Sequence, residues 1–278
     1  MQAPMLIALS AGSLRGLLVR AKAPLALHDL PTFVREELDL RGLNFPTDML
    51  AGKSLNELDK IRDRADRVGC PCLLLQETEA VDLAGADSKQ LAAMDRLRKV
   101  ALAANRLGCA FVGLKLKDID SVAHLERATK GIRAALIDID RWDVSLLFQP
   151  SGGLLESGSP LVDLVKRVGG FRIGALASFQ HAHDSGDLRG MLRRIAPYAQ
   201  AMIAQIRKFN SEGQHEEWSL TSCIETLRAV GYSNMLSLDF VGKGDGIKAI
   251  VKARDALVQA LHATESETEP VAEEEEAA

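Results

Sequence analysis

Short apolar runs alternate along this chain with longer stretches whose apolar residues recur at i, i+3 and i+4. The short runs begin near Met5, Gly42, Pro71, Ala110, Val144, Phe171, Ala201 and Asn234, and read as strands. Between them Asn56 to Val68, Lys89 to Leu107, Ser121 to Ile139, Pro160 to Val168, Leu188 to Ala199 and Leu220 to Val230 read as amphipathic helices. Gly246 to Leu261 reads as a last one. The first crossover, Leu14 to Arg41, is long, with Leu30-Pro31 as a helix entry. Four helices close alike, at Arg67-Val68-Gly69, Arg106-Leu107-Gly108, Arg167-Val168-Gly169 and Ala229-Val230-Gly231. A basic residue in a last turn suits the helix dipole, and glycine suits a left-handed cap that turns the chain into the next strand. About eight strand–helix units in about 260 residues predict a single (β/α)8 TIM barrel. The rival is a doubly wound open sheet, whose G-x-G-x-x-G fingerprint does not follow the first strand.

Charge changes that picture at one end. Thr264 to Ala278 carries seven Glu, Pro270 and no basic residue, which leaves Met1 to Ala263 close to neutral although the chain is at −4. With no periodic apolar pattern, residues 264–278 are expected to form a disordered acidic tail behind a barrel spanning residues 1–263. No basic stripe suggests a nucleic-acid partner. No run approaches the roughly 18 apolar residues of a membrane helix. Met5 to Ala11 has no Lys or Arg before it and reads as a first strand, not a signal peptide. Cys70, Cys72, Cys109 and Cys223 lack metal or disulfide spacing, read as small buried hydrophobes, and fit a reducing cytoplasm.

In such a barrel, ligand chemistry sits at the C-terminal ends of the strands. The polar residues ending the later runs are Gln149, Ser178, Gln205 and Asp239. Earlier strands offer Asn44, Gln76-Glu77, Lys115 and Lys117, with strand parity open by one residue. An inward lysine beside a carboxylate can form a Schiff base. His181-Ala182-His183-Asp184 follows the sixth strand and reads as a loop on the active face. Gly242-Lys243-Gly244-Asp245-Gly246 follows the eighth. Glycines there let backbone N–H groups approach an anion at the start of the last helix, and Lys243 adds a charge.

Three segments carry a resemblance. Leu30-Pro31-Thr32-Phe33-Val34-Arg35-Glu36-Glu37-Leu38, with Leu40-Arg41-Gly42-Leu43-Asn44 after it, resembles the first helix and second strand of the xylose isomerase-like TIM barrels. That superfamily includes sugar-phosphate isomerases and epimerases and the endonuclease IV type. Gln149-Pro150-Ser151-Gly152-Gly153 is similar to the family's Glu-Asn-His-Gly-Gly stretch. Leu236-Ser237-Leu238-Asp239-Phe240-Val241-Gly242-Lys243-Gly244-Asp245 is similar to its last strand and loop. The resemblance implies that Gln149 stands where the family has a metal-binding Glu, and Ser178 where it has the Asp of an Asp-x-x-His pattern. His181 fills the His slot, Gln205 takes the seventh-strand His position, and Asp239 takes that of the final Glu.

In the family those strand-end ligands hold a divalent cation that polarises a substrate carbonyl while carboxylates move a proton. Gln and Ser supply neutral oxygens in place of charged or imidazole ligands, so a degenerate metal site is expected. No cofactor is expected; a divalent ion (Mn, Co, Mg or Zn) enters only if the family site survives. The leading expectation is a cytoplasmic sugar-phosphate isomerase/epimerase-like barrel with catalysis impaired. It would bind a small polyhydroxylated or phosphorylated ligand through Gln149, Ser178, Gln205, Lys115, Lys243 and Gly244. Two alternatives stay open: an active isomerase or epimerase using Asp239, His181 and Glu77, and a noncatalytic assembly or regulatory barrel, with homo-oligomer formation undecided.

Overall fold

Each apolar run becomes a strand, and alternation along it decides which side chains fill the barrel. A computed structural model describes residues 5–19, 24–117, 119–242 and 246–265. The strands are β1 (Ile7–Ser10), β2 (Leu43–Pro46), β3 (Cys72–Gln76), β4 (Phe111–Leu114), β5 (Ser145–Phe148), β6 (Ile173–Ser178), β7 (Ala199–Ile206) and β8 (Met235–Phe240). Each pairs in parallel with the next. β8 returns to β1, with Ile7 opposite Leu236 and Leu9 opposite Leu238, so the sheet closes. This is the predicted (β/α)8 barrel.

The helical layer begins with α1 (Arg15–Leu18) and α2 (Leu30–Glu36) in the long first crossover, with Pro31 at the start of α2. Then come α3 (Leu55–Val68), α4 (Asp87–Leu107), α5 (Val122–Asp138) and α6 (Gly158–Val168). After β6 stand α7 (Phe179–Asp184) and α8 (Leu188–Ile195); α9 (Leu220–Ala229) and α10 (Gly246–Glu265) complete the layer.

Successive side chains of β5 show the two cores. Leu146 and Phe148 pack outward into the large apolar layer under the helices. Leu147 points inward and joins Ala8, Leu74, Leu176, Ala201, Ile203 and Met235 in a separate cluster inside the barrel. Gly113 leaves room in that interior, since a Cβ there would lie 2.7 Å from Leu176 Cδ2. All four cysteines are buried and free. Burial pushes the Cys70 thiol up to about 12, in keeping with an inert packing role.

Four expectations need correction. The segment after Ser178 is the helix α7, not a loop. The helix expected to reach Ala199 stops at Ile195, because Pro197 has no N–H and its chain continues as a 3-10 turn, Ala196–Tyr198. Of the four glycines, Gly69, Gly108 and Gly231 close their helices with positive φ, Gly231 N donating to Arg228 O and Tyr232 N to Leu227 O; Gly169 instead combines positive φ with extended ψ. α10 runs to Glu265, two residues past the expected barrel end, with the Thr264 hydroxyl donating to Ala260 O and Leu261 O. Residues 266–278 of the expected acidic tail lie outside the described residues.

Leu147 is fully buried among apolar side chains that come from other strands. Leu147→Ala should therefore lower stability by about 2–5 kcal/mol, measured by urea unfolding.

Candidate functional site

One step further along each inward row, two residues above the interior cluster, the side chains turn polar. Ser10 follows Ala8, Gln76 follows Leu74, Gln149 follows Leu147, Ser178 follows Leu176, and Gln205 follows Ile203. On β8 the inward row is Met235, Ser237, Asp239. Gln205 and Asp239 are register partners on neighbouring strands. The pleat thus gathers Gln149, Ser178, Gln205 and Asp239 at one mouth, with Ser10 and Gln76 completing the ring. Beneath it Asn44 donates to Ser237 Oγ at 2.8 Å and accepts from Leu74 N at 3.1 Å. Asn44 is 3% exposed and forms a polar floor.

Gln149 is 8% exposed. Its Oε1 accepts from Gln76 Nε2 at 3.4 Å, while its buried Nε2 has no hydrogen-bond partner among the described residues. Ser178 caps α7, its Oγ accepting from His181 N at 3.0 Å. Gln205 Oε1 accepts from Gln180 N at 3.4 Å. His181 Nε2 lies 2.8 Å from Glu156 O, so its ring ties α7 to the segment after β5.

Asp239 opens onto a cavity of about 470 Å³ that Ser10, Ser13, Arg15, Gln76, Thr78 and Gly242 help to line. Burial pushes its carboxyl above the usual carboxylate range, while hydrogen bonds from Ser10 and Ser13 and the nearby Arg15 charge pull it back. Arg15 Nη2 is also 2.7 Å from Asp48 Oδ1, a pair in which both side chains are half exposed.

Other expected site residues lie elsewhere. Glu77 is turned the opposite way from Gln76, toward α4. Its Oε2 accepts from Arg96 Nε at 2.7 Å and its Oε1 from Thr47 Oγ1 and Glu79 N, with no exposed side-chain area. Gln76, not Glu77, lines the mouth, and the Glu77 carboxylate, expected as a catalytic group, is directed instead to Arg96 and Thr47. Lys115 is exposed just beyond β4, on the inward parity of Gly113. His181, His183 and Asp184 do not converge. The His183 ring stacks near Trp218, at 5.2 Å between centroids, and Asp184 accepts from Gln180. Lys243 and Gly244 lie outside the described residues. Ser10, Ser13 and Arg15 were not anticipated. Ser10 was within reach, since it stands two residues after Ala8 at the end of the first run; the turn carrying Ser13 and Arg15 has no such periodic signal.

Among the described residues no group of three or more His, Cys, Asp or Glu side chains could hold a metal ion. The mouth itself presents one carboxylate, two amides and a hydroxyl where the resemblance expects charged and imidazole ligands. That donor set does not fit a divalent ion of the family's kind, because neutral oxygens compensate poorly for its lost hydration.

Solved structures superpose on nearly the whole barrel. The chain has the fold of the xylose isomerase-like barrels. An L-ribulose 3-epimerase matches with a TM-score of 0.76 at 14% identity, covering 95% of this chain and 98% of that one. A D-psicose 3-epimerase from Clostridium cellulolyticum H10, solved with D-tagatose, gives 0.72 at 14% identity over 95% and 98%. The IOLI protein, solved with a zinc atom, gives 0.72 at 14% over 93% and 99%. No protein-family model matches the sequence, and no curated protein matches it either. These structural neighbours are sugar isomerase- and epimerase-like barrels, and at these identities the likeness is one of fold. No helix among the described residues is long and apolar enough to cross a membrane.

The raised carboxyl of Asp239 has a consequence for stability. A carboxyl whose folded pKa lies above its unfolded value binds more protons in the folded state, so stability falls as pH rises from about 3.8 through the folded pKa. Asp239→Asn should remove that loss. The variant should melt higher than the parent at pH 7, and the difference should shrink as pH falls toward 3.8. Thermal melts across pH check this, and an equal gain at every pH would contradict it.

Proposed function

We propose that this barrel binds a small polyhydroxylated or phosphorylated compound at its C-terminal mouth, without a divalent metal and with catalysis impaired. The observation that carries the reading is Gln149: a buried amide in the polar ring whose Nε2 has no partner among the described residues. A buried donor of that kind costs about 1–3 kcal/mol, which an acceptor oxygen on a ligand would recover once the amide turns toward the mouth. Gln76, Gln205, Ser10 and Ser178 surround it with groups that both donate and accept, as sugar hydroxyls require. The epimerase structures that share the fold support a sugar-like ligand.

Impaired catalysis follows from the ring's chemistry. Epimerising a carbon beside a carbonyl needs groups that titrate at both faces of the substrate, whereas an isomerisation can move its proton with one. Gln149 does not titrate, His181 is engaged with Glu156, and Glu77 faces away from the mouth. Asp239 is the carboxylate of the ring, and its raised pKa favours the second reading, a residual isomerase or epimerase in which Asp239 alone moves the proton. Exchange of carbon-bound hydrogen in deuterated water separates the two: none is expected with ketohexoses, and exchange abolished by Asp239→Asn would establish the second.

Binding is checked by ligand-observed NMR and calorimetry with polyols, ketohexoses and sugar phosphates. Gln149→Leu should weaken the ligand that binds best by about tenfold or more, the loss of one well-buried hydrogen bond. An unchanged affinity would move the ligand away from the mouth.

The pleat already aims four side chains at one centre. The triple variant Gln149→Glu, Ser178→Asp, Gln205→His, with Asp239 retained, is therefore expected to gain Mn²⁺ binding in calorimetric titration where the parent shows negligible heat. Equal, negligible heats for both proteins would mean that the four positions do not converge.

A further inference from the structure

Beside the ring, between the first and last strands, the cavity has a cationic corner. Gly12 sits in the turn after β1, Ala11–Leu14, and has no side chain to fill the space in front of it. A Cβ at that position would lie 3.2 Å from Ser10 Oγ, 3.9 Å from Arg15 Nε and 3.9 Å from Asp239 Oδ1. Hydroxyl, guanidinium and carboxylate therefore converge on one point of the cavity wall. Arg15 is only partly engaged there: Nη2 is bonded to Asp48, and Nε, the nitrogen nearest that point, has no hydrogen-bond partner among the described residues. The Asp48 pair is half exposed on both sides, so solvent screens it. It holds Arg15 near the cavity without neutralising it strongly, so an incoming oxyanion meets a cation already in place.

We infer that Arg15, across Gly12, is a specificity residue of the mouth that recognises an anionic group, a carboxylate or a phosphate, carried by the polyhydroxylated ligand. This rests on the proposed binding of such a ligand and names its charge. Asp239 Oδ1 lies 3.9 Å from the same point, beside Ser10, and the Arg15 charge serves both that carboxylate and an incoming anion. Arg is suited to the task because its planar fork engages two oxygens of a carboxylate or phosphate at once. The hydroxyl-bearing carbons of the ligand would then extend from this corner toward Gln76 and Gln149. A neutral sugar would leave the Arg15 donors to solvent and gain nothing from them.

The test measures binding of three probes to the full-length protein at low salt by calorimetry: a hexitol, the corresponding hexonate, and a hexose phosphate. The parent should bind at least one anionic probe about tenfold or more tighter than the hexitol, the worth of a charge-assisted hydrogen bond. In Arg15→Gln that preference should fall to within about twofold, whereas Asp48→Asn, which removes the resting partner and keeps the cation, should preserve it. Hexonate and hexose phosphate distinguish the two sources of the oxyanion. Gly12→Ala, whose backbone is not left-handed and whose Cβ would press on Ser10 Oγ at 3.2 Å, should weaken the anionic probe by filling the point of convergence. Binding of all three probes with equal affinity would overturn the role of Arg15 and leave the mouth reading intact, as would a preference that survives Arg15→Gln. Unchanged affinity in Gly12→Ala would overturn the location. Failure of every probe to bind would overturn this inference and the binding reading together.

Discussion

The pleat of a closed parallel barrel fixes everything above it. Once β8 pairs with β1, the inside of the barrel must be filled, and Ala8, Leu74, Leu147, Leu176, Ala201, Ile203 and Met235 fill it. With a period of two, the next inward side chain of each strand has no choice of direction. Ser10, Gln76, Gln149, Ser178, Gln205 and Asp239 are therefore aimed at a common mouth by the apolar layer below, not by contacts among themselves. The contacts they do make are long or peripheral, such as the 3.4 Å bond between Gln76 and Gln149. Packing and site chemistry are thereby separated by one layer: the interior carries the fold, and the ring can vary in chemistry on a constant geometry.

The same parity explains how two adjacent acids and amides take opposite roles. Gln76 and Glu77 differ by one position, and so by one face. Glu77, on the outer face, links the end of β3 to α4 through Arg96 and to the turn after β2 through Thr47. All of its acceptor capacity serves that tie. Asp239, on the inner face, has only Ser10, Ser13 and the shared charge of Arg15 to set against its burial. The carboxyl on the outside of the barrel is thus buried and satisfied, and the one in the mouth is half-buried and less fully compensated. Only the second faces the cavity.

What could be read in the sequence follows from periodicity. The eight apolar runs and the helices between them were legible because each repeats its signal over several residues, and Gln149, Ser178, Gln205 and Asp239 were legible as polar endings of those runs. Parity at β3 was not, because Leu73, Leu74 and Leu75 are all apolar and give no alternation to count from; the register shift between Leu43 and Asn44 where β2 meets β3 removes a second guide. The helix α7 was missed because six residues are too few for a 3.6-residue period, and its cap is Ser178, already accounted for as a strand end. Arg15 lies in a turn of aperiodic sequence and reaches the mouth through the path of the first crossover, a tertiary fact that no local pattern encodes.

A polar ring that served only to finish the barrel would satisfy itself. Buried polar groups cost free energy unless every donor and acceptor is matched, as Glu77 is and as Asp59 Oδ1 and Arg106 Nε in the helical layer are not. The mouth is not fully matched either. Gln149 Nε2 is buried without a partner among the described residues, Arg15 keeps Nε unengaged beside Gly12, and Asp239 carries a raised pKa within the same cavity wall. Each imbalance is of a different kind: a donor without an acceptor, a guanidinium engaged through one nitrogen, and a carboxyl raised by burial. One oxygen-rich anionic ligand offers the complement of all three: acceptors for Gln149, charge for Arg15 and hydroxyl donors for Asp239. Because it would bind only the folded barrel, it would stabilise the fold at the positions where the free protein is least satisfied.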